Sequence, residues 1–210
     1  WLKINNSVIT NWEQRSQESE RTWSEKGVPY EIIIQLANLI KKDIWINMPH
    51  QATKQYFLNS AFLFHTKLNP KIKLYVEHSN EVWNTSFEQG RYALDAAYRL
   101  FGDGPVERPA SQWHGIRTAE MCKTFNRMFG WENPQLVCVA GTQAAAAQYH
   151  ISPLLDCPAR ENGNSCKDDG IDAVAITSYF TGGLNGRRIL NEEREQYVEI
   201  LRNWANNDRY

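Results

Sequence analysis

The fold is decided by a stretch that begins with strand-forming residues and ends in polar ones: Lys71-Ile72-Lys73-Leu74-Tyr75-Val76-Glu77-His78-Ser79-Asn80-Glu81-Val82-Trp83-Asn84. Residues 71–75 are a short run of strand formers that predicts a buried β-strand, so Asn80 and Glu81 fall where that strand opens into a loop. In parallel α/β folds the reacting groups lie at the carboxyl ends of strands, because loops vary there while the packed strands hold their roots. The position of this pair therefore predicts a functional site.

The residue types in this stretch suit a particular kind of ligand. The Asn80 amide can hydrogen-bond a hydroxyl group, the Glu81 carboxyl can give or take a proton, and Trp83 adds a flat apolar surface. Sugars have apolar faces edged with hydroxyls, so the combination favours a carbohydrate. A purely structural role also fits: Asn80 caps the helix that begins near Thr85, and Glu81 lies favourably near the N-terminus of that helix.

Strand and helix patterns alternate on both sides of this stretch. Further strands are predicted at residues 44–48, 135–140 and 172–177, and residues 1–2 have the pattern of the end of another strand. Amphipathic helices are predicted after Gly27-Val28-Pro29, around Phe57 to Leu68, over 86–100 and 112–129, and again around Tyr197. This alternation indicates an α/β protein with a parallel sheet, whose right-handed crossovers fit either a doubly wound sheet or a barrel.

Three blocks of the chain resemble a known group of enzymes. They read DIWINMPHQAT at 43–53, LYVEHSNEVWN at 74–84 and AVAITSYF at 173–180. They are similar to the clan of retaining glycoside hydrolases built on (β/α)8 TIM barrels, and more closely to a bacterial group with the blocks WxNxPH, YVEYSNEVWN and AxTxYF. The resemblance covers residues 1 to about 183 of the 210. It implies that residues 1–210 form a single glycosidase-like catalytic domain.

The resemblance also implies a mechanism. In the clan, the Glu of the Asn-Glu pair on the fourth strand is the general acid/base, which is Glu81 here, and Asn80 holds a hydroxyl next to the reacting carbon. A second Glu, on the seventh strand, is the nucleophile of a double displacement. Counted in this order, the chain holds the end of strand two and strands three to six. We therefore expect the nucleophile beyond Tyr210, so that the chain is a fragment and is inactive alone.

Four further residues are carried over as sugar-binding candidates. His50 matches a polar position that lines the sugar pocket in the clan, and Asn47 lies beside it. Tyr179 matches the sixth-strand aromatic residue whose hydroxyl contacts the nucleophile, and Trp83 offers a stacking surface. Structural roles fit three of these as well: His50 as a turn histidine, and Tyr179 and Trp83 as buried aromatic residues.

Composition and charge exclude several classes of function. The chain has 210 residues, 42% of them hydrophobic, which suits one globular domain. Its net charge of -1 and the absence of a Lys/Arg block give no case for nucleic acid or an anionic membrane as partner, and no apolar run is long enough to span a membrane. The sequence has no GxSxG, Walker, GxGxxG or HExxH motif, and the implied mechanism needs no metal or cofactor.

The four cysteines are relevant to the cellular compartment in which the protein folds. Cys157 and Cys166 bracket a loop of turn-forming residues, and a disulfide between them fits a secreted or periplasmic protein. Metal binding is the alternative, but no Cys-x-x-Cys or His-x-x-x-His spacing supports it. Cys122 lies in a helical pattern and Cys138 in an apolar strand, so we expect both to be buried thiols.

Two other classes of function fit the same residues. The first is a non-catalytic carbohydrate-binding protein, or an inactive relative of the glycosidases, in which the aromatic residues and Asn80 bind a glycan without turnover. The second is a scaffold whose aromatic surface contacts another protein. An enzyme loses hydrolysis but keeps affinity when Glu81 is replaced by Gln, whereas a binding protein changes little and a scaffold binds no glycan at all.

Overall fold

The computed structural model describes residues 2–144, 147–161 and 163–176. Strands and helices alternate over these residues, and two short 3-10 turns lie at Trp12–Gln14 and Cys166–Asp169. The strands are β1 (Ile44–Met48), β2 (Leu74–His78), β3 (Leu136–Thr142) and β4 (Ala173–Ile176). The helices are α1 (Tyr30–Ile40), α2 (Lys54–Lys67), α3 (Glu88–Phe101), α4 (Pro109–Phe129) and α5 (Ala147–Asp156).

The strands form one parallel sheet, in the order β1-β2-β3-β4. Each strand pairs with the next one in the sequence, and at least one helix connects every pair. The register places Asn47 beside Glu77 and Glu77 beside Val139. The prediction of an α/β protein with a parallel sheet is therefore confirmed. The described strands run in sequence order, without the reversal at which a doubly wound sheet changes direction.

Short sequence signals set the ends of the helices. The Thr53 hydroxyl accepts a hydrogen bond from the Tyr56 amide at 3.2 Å and caps α2. Pro109 occupies the first turn of α4, where its missing amide hydrogen costs nothing, and α4 therefore begins three residues before the predicted position at 112. Gly130 follows α4 with φ 95°, a conformation that favours glycine.

The main core lies between one face of the sheet and helices α1, α2 and α4. Alternate strand residues face these helices, and their side chains are buried: Ile46, Met48, Leu74, Val76, Leu136 and Cys138. The residues between them face the opposite side, because successive side chains of a strand alternate. On that open face Trp45 stacks on Tyr75 with ring centroids 5.4 Å apart, and 46% of the Trp45 surface is exposed.

The cysteines form two pairs. Cys157 is bonded to Cys166, the pair that brackets the loop of turn-forming residues. Cys122 and Cys138 are also bonded to each other, so the expectation of two buried free thiols is wrong. The reason is tertiary: Cys122 lies on the buried side of α4, Cys138 lies on the face of β3 that the helices cover, and the two elements pack together. Sequence periodicity showed that both were buried but not that they meet.

Two other expectations have different outcomes. Leu2 makes an isolated antiparallel bridge with Gly27 and pairs with none of the four described strands, whereas Trp1, the other residue of the expected strand end, lies outside the described residues. The last predicted helix, around Tyr197, lies outside the described residues. Across the residues that are described, no helix combines the length and the apolar character that a membrane span requires.

The close approach of α4 to α5 yields a stability prediction. A Cβ added at Gly115 would lie 2.0 Å from the Leu154 carbonyl oxygen and 2.6 Å from Cys157 Sγ. We expect Gly115→Ala to lower the free energy of unfolding by about 1–3 kcal/mol, because overpacking against backbone outweighs the better helix propensity of alanine. Thermal unfolding would show this as a lower Tm.

Gly104→Ala is the matched control. Nothing lies within 4 Å of a Cβ built at Gly104, so the free energy of unfolding should change by no more than about 0.5 kcal/mol. Equal Tm values for the two variants would contradict the packing of α4 on α5.

Candidate active site at the carboxyl ends of the strands

An open cleft lies where β1 and β2 end. It has a volume of about 500 Å³ and is lined by residues 2–5 together with Trp45, Asn47 and Asn80. Asn47 is the fourth residue of β1, and Asn80 follows the last residue of β2 by two positions. Parallel pairing brings both amides to the same edge of the sheet. The cleft thus combines amide groups with one exposed aromatic ring.

Asn80 is held by hydrogen bonds from distant parts of the chain. Its Nδ2 donates to Asn5 Oδ1 at 2.9 Å, and the Gln89 Nε2 donates both to Asn5 Oδ1 and to the Asn80 carbonyl at 2.8 Å. The Asn6 amide donates to Gln89 Oε1 at 3.0 Å. Gln89 is fully buried at the start of α3. This amide cluster fixes the loop after β2 to the N-terminal segment.

Glu81 follows Asn80, which lines the cleft, and precedes Val82 and Trp83, which do not. Its backbone has φ 45°, a left-handed conformation that is uncommon for residues other than glycine and that occurs often at functional sites. The carboxylate is partly exposed, and its Oε2 accepts a hydrogen bond from Asn84 Nδ2 at 3.0 Å. No hydrogen bond reaches Oε1 from the described residues. Glu81 is adjacent to the cleft but is not one of the residues that line it.

Trp83 lies on the other side of Glu81, toward β3. With Val82 it borders a small depression that also includes Gly141 and Thr142 at the end of β3. Trp83 is half-buried and lies 3.9 Å from a Cβ built at Gly141. The Asn-Glu motif therefore extends between the ends of β1 and β3, with Asn80 on one side and Trp83 on the other.

A second carboxylate, Glu77, lies on the open face of β2. Its Oε2 accepts hydrogen bonds from Trp45 Nε1 and from Asn47 Nδ2, each at 2.9 Å, and only 8% of the residue is exposed. Burial raises the pKa of Glu77, while the two hydrogen bonds favour its ionised form. Gly141 on β3 leaves room for the carboxylate, because a Cβ there would lie 2.3 Å from Glu77 Oε1.

Three buried histidines lie on the core side of the same strand ends. The rings of His78 and His114 are 5.4 Å apart, and His114 Nε2 is 3.0 Å from the His78 carbonyl oxygen. His50 packs edge-on against Tyr92. Burial lowers the pKa of His50 and of His114 to about 4, and burial, reinforced by the charge of His114, lowers the pKa of His78 well below its usual range. Among the described residues, no group of three or more His, Cys, Asp or Glu side chains could hold a metal ion.

The structure brings together some of the sequence-predicted site residues. Asn47 and Asn80 line one cleft with Glu81 beside it, whereas Trp83 faces the β3 side. His50 follows the end of β1 by two positions, is fully buried against Tyr92 and does not line the cleft. Its predicted contact with a sugar stays a prediction. Tyr179 lies outside the described residues.

Sequence analysis missed the groups that hold the site together. Asn5 and Gln89 are 84 positions apart, and no motif connects them. Gly141 carried a weak signal as a glycine at a predicted strand end. No protein-family model, curated protein or solved structure matches this chain. The function is therefore inferred from the residues and from their geometry.

The buried histidines predict an acid-labile fold. They are neutral in the folded protein but take up protons in the unfolded chain below pH about 6.5, so the unfolded state binds more protons between pH 6.5 and about 4. The free energy of unfolding should fall as the pH falls through this window. The shift of His114 alone corresponds to a loss on the order of 3 kcal/mol.

Urea unfolding at several pH values measures this loss. His114→Gln should reduce the difference in unfolding free energy between pH 7 and pH 4, whatever its effect at pH 7. His65→Gln, which changes an exposed histidine on α2, should leave the difference as in wild type. An unaltered pH dependence in His114→Gln would refute the role of this buried imidazole.

Proposed function

We propose that this chain belongs to a retaining glycoside hydrolase and forms part of a (β/α)8 barrel, with Glu81 as general acid/base. The observation that carries the proposal is the position of Asn80-Glu81 at the carboxyl end of β2, beside a cleft lined by Asn47, Asn80 and Trp45. The sequence order of the four parallel strands supports a barrel, because a barrel adds each strand next to the preceding one. The resemblance of the NEVWN block supplies the reaction type.

The geometry around Glu81 suits proton transfer. Asn84 binds Oε2 and orients the carboxyl, and Oε1 is left to carry the proton to a glycosidic oxygen. As that C–O bond breaks, a carboxylate on the opposite side attacks the anomeric carbon and forms a glycosyl ester. Glu81 then removes a proton from water, which attacks the anomeric carbon and displaces that carboxylate. The attacking carboxylate is expected outside the described residues.

The lining of the cleft suits a neutral polysaccharide or oligosaccharide. Amide groups bind hydroxyls through both donors and acceptors, and an exposed Trp45 ring offers an apolar face. The two disulfides fit folding in an oxidising compartment, so we propose that the protein acts outside the cell or in the periplasm.

Glu81→Gln, made in the complete barrel protein proposed here, tests the proposal. The amide keeps the size of the side chain but cannot donate a carboxylic proton, so kcat for hydrolysis should fall by about 10²–10⁴-fold while the affinity for the substrate is retained. A panel of neutral polysaccharides, assayed for new reducing ends and for binding by calorimetry, supplies both quantities. Proton NMR of the first product should show the retained anomer.

Glu107→Gln, in an exposed loop before α4, is the matched control and should behave like wild type. Glycan binding without hydrolysis in the wild-type protein would reject the hydrolase and support a non-catalytic carbohydrate-binding protein. An absence of both binding and hydrolysis would overturn the proposal entirely.

A further inference from the structure

We infer that Glu77 is a positioning residue that fixes the Asn47 amide, so that Asn47 Oδ1 is presented to the cleft as a hydrogen-bond acceptor for a sugar hydroxyl. The inference rests on the proposed function for its ligand, but its structural part does not. It adds to Glu81 and Asn80 a second carboxylate, located on the open face of β2, with a role of its own.

The hydrogen bonds of Asn47 determine how its amide is turned. Nδ2 donates to Glu77 Oε2 at 2.9 Å and to the Ser79 carbonyl oxygen at 2.7 Å, so both of its hydrogens are used. The opposite rotamer would place Oδ1 against two acceptors and is therefore disfavoured. The Asn47 oxygen is the part of the amide left for a ligand, and Asn47 lines the cleft.

The indole of Trp45 makes this orientation specific. Trp45 Nε1 is a donor only, and it donates to the same Glu77 Oε2 at 2.9 Å. Its ring is held in turn by stacking on Tyr75, with an interplanar angle of 5°. Glu77 Oε2 must therefore remain an acceptor, and an acceptor at this point requires the nitrogen of Asn47 to face it.

Gly141 completes the arrangement from β3. A Cβ at this position would lie 2.3 Å from Glu77 Oε1 and 3.3 Å from the carboxyl carbon, so the carboxylate occupies the space that any other residue would fill. The Glu77 carboxylate, carried by β2, thus accepts from Asn47 on β1 and lies against Gly141 on β3. Because 8% of Glu77 is exposed and Oε2 is engaged twice, a sugar does not reach it, which distinguishes a positioning residue from a catalytic one.

The test compares Glu77→Gln, Glu77→Ala and Gly141→Ala in the same protein in which Glu81→Gln is assayed. Two-dimensional NMR follows the Asn47 side-chain NH2 and Trp45 indole N–H signals, and calorimetry measures the affinity for a neutral oligosaccharide that binds wild type. Glu77→Gln should leave the signals in place and the affinity within about threefold, because Trp45 forces the Gln oxygen into the position of Oε2. Glu77→Ala should shift or broaden both signals and weaken binding by about tenfold or more.

Gly141→Ala should change the NMR signals and the affinity as Glu77→Ala does, because the new methyl group displaces the carboxylate. If Glu77→Ala does not fold, Gly141→Ala takes its place in the comparison. Gly115→Ala is the control for lost stability alone and should leave the Asn47 signals and the affinity unchanged. Unmoved Asn47 and Trp45 signals in the folded Glu77→Ala and Gly141→Ala variants would overturn the inference, as would a Glu77→Gln variant that loses both signals. If wild type binds no sugar, the proposed function fails, and the NMR comparison still decides the role of Glu77.

Discussion

The parallel register of β1, β2 and β3 is the constraint on which the rest of the structure depends. It sets Asn47 beside Glu77 on the open face and, one residue later, Met48 beside His78 on the face that the helices cover. Because side chains alternate along a strand, a shift of β2 by one residue relative to β1 and β3 would place Glu77 in the hydrophobic core and expose His78. The apolar residues on the face that the helices cover fix this register. They therefore also determine which polar groups meet at the cleft.

This alternation separates two kinds of ionisable group within one strand. Glu77 accepts hydrogen bonds from Trp45 and Asn47, and His78 faces a core in which a positive charge would be costly. Glu81, after the strand, is partly exposed and has a single amide partner. Neighbouring residues of one short segment thus have very different environments: Glu77 is buried and bonded to two donors, His78 is packed in the core, and Glu81 is partly exposed.

Much of the fold could be predicted from local patterns. Helix α1, strands β1 and β2 and the parallel sheet follow from apolar periodicity and from the turn residues that interrupt it, and α3 and β4 lie within two residues of their predicted ends. The Asn-Glu pair could be recognised from the sequence as a candidate site because it follows a predicted strand. The Cys122–Cys138 bond, the Asn5–Gln89 contact and the burial of His50 were not, because each depends on which elements pack together in three dimensions.

The left-handed backbone at Glu81 has a consequence for how this segment tolerates change. A glycine at position 81 would adopt φ 45° without steric cost, so the native carboxyl is retained at a conformational expense on the order of 1 kcal/mol. Ser79, at φ 62°, bears a similar cost two positions earlier. Selection for thermal robustness alone would favour glycine or asparagine here and would remove the acid in doing so. Backbone preference at this turn therefore opposes the presence of a carboxyl-bearing side chain at position 81.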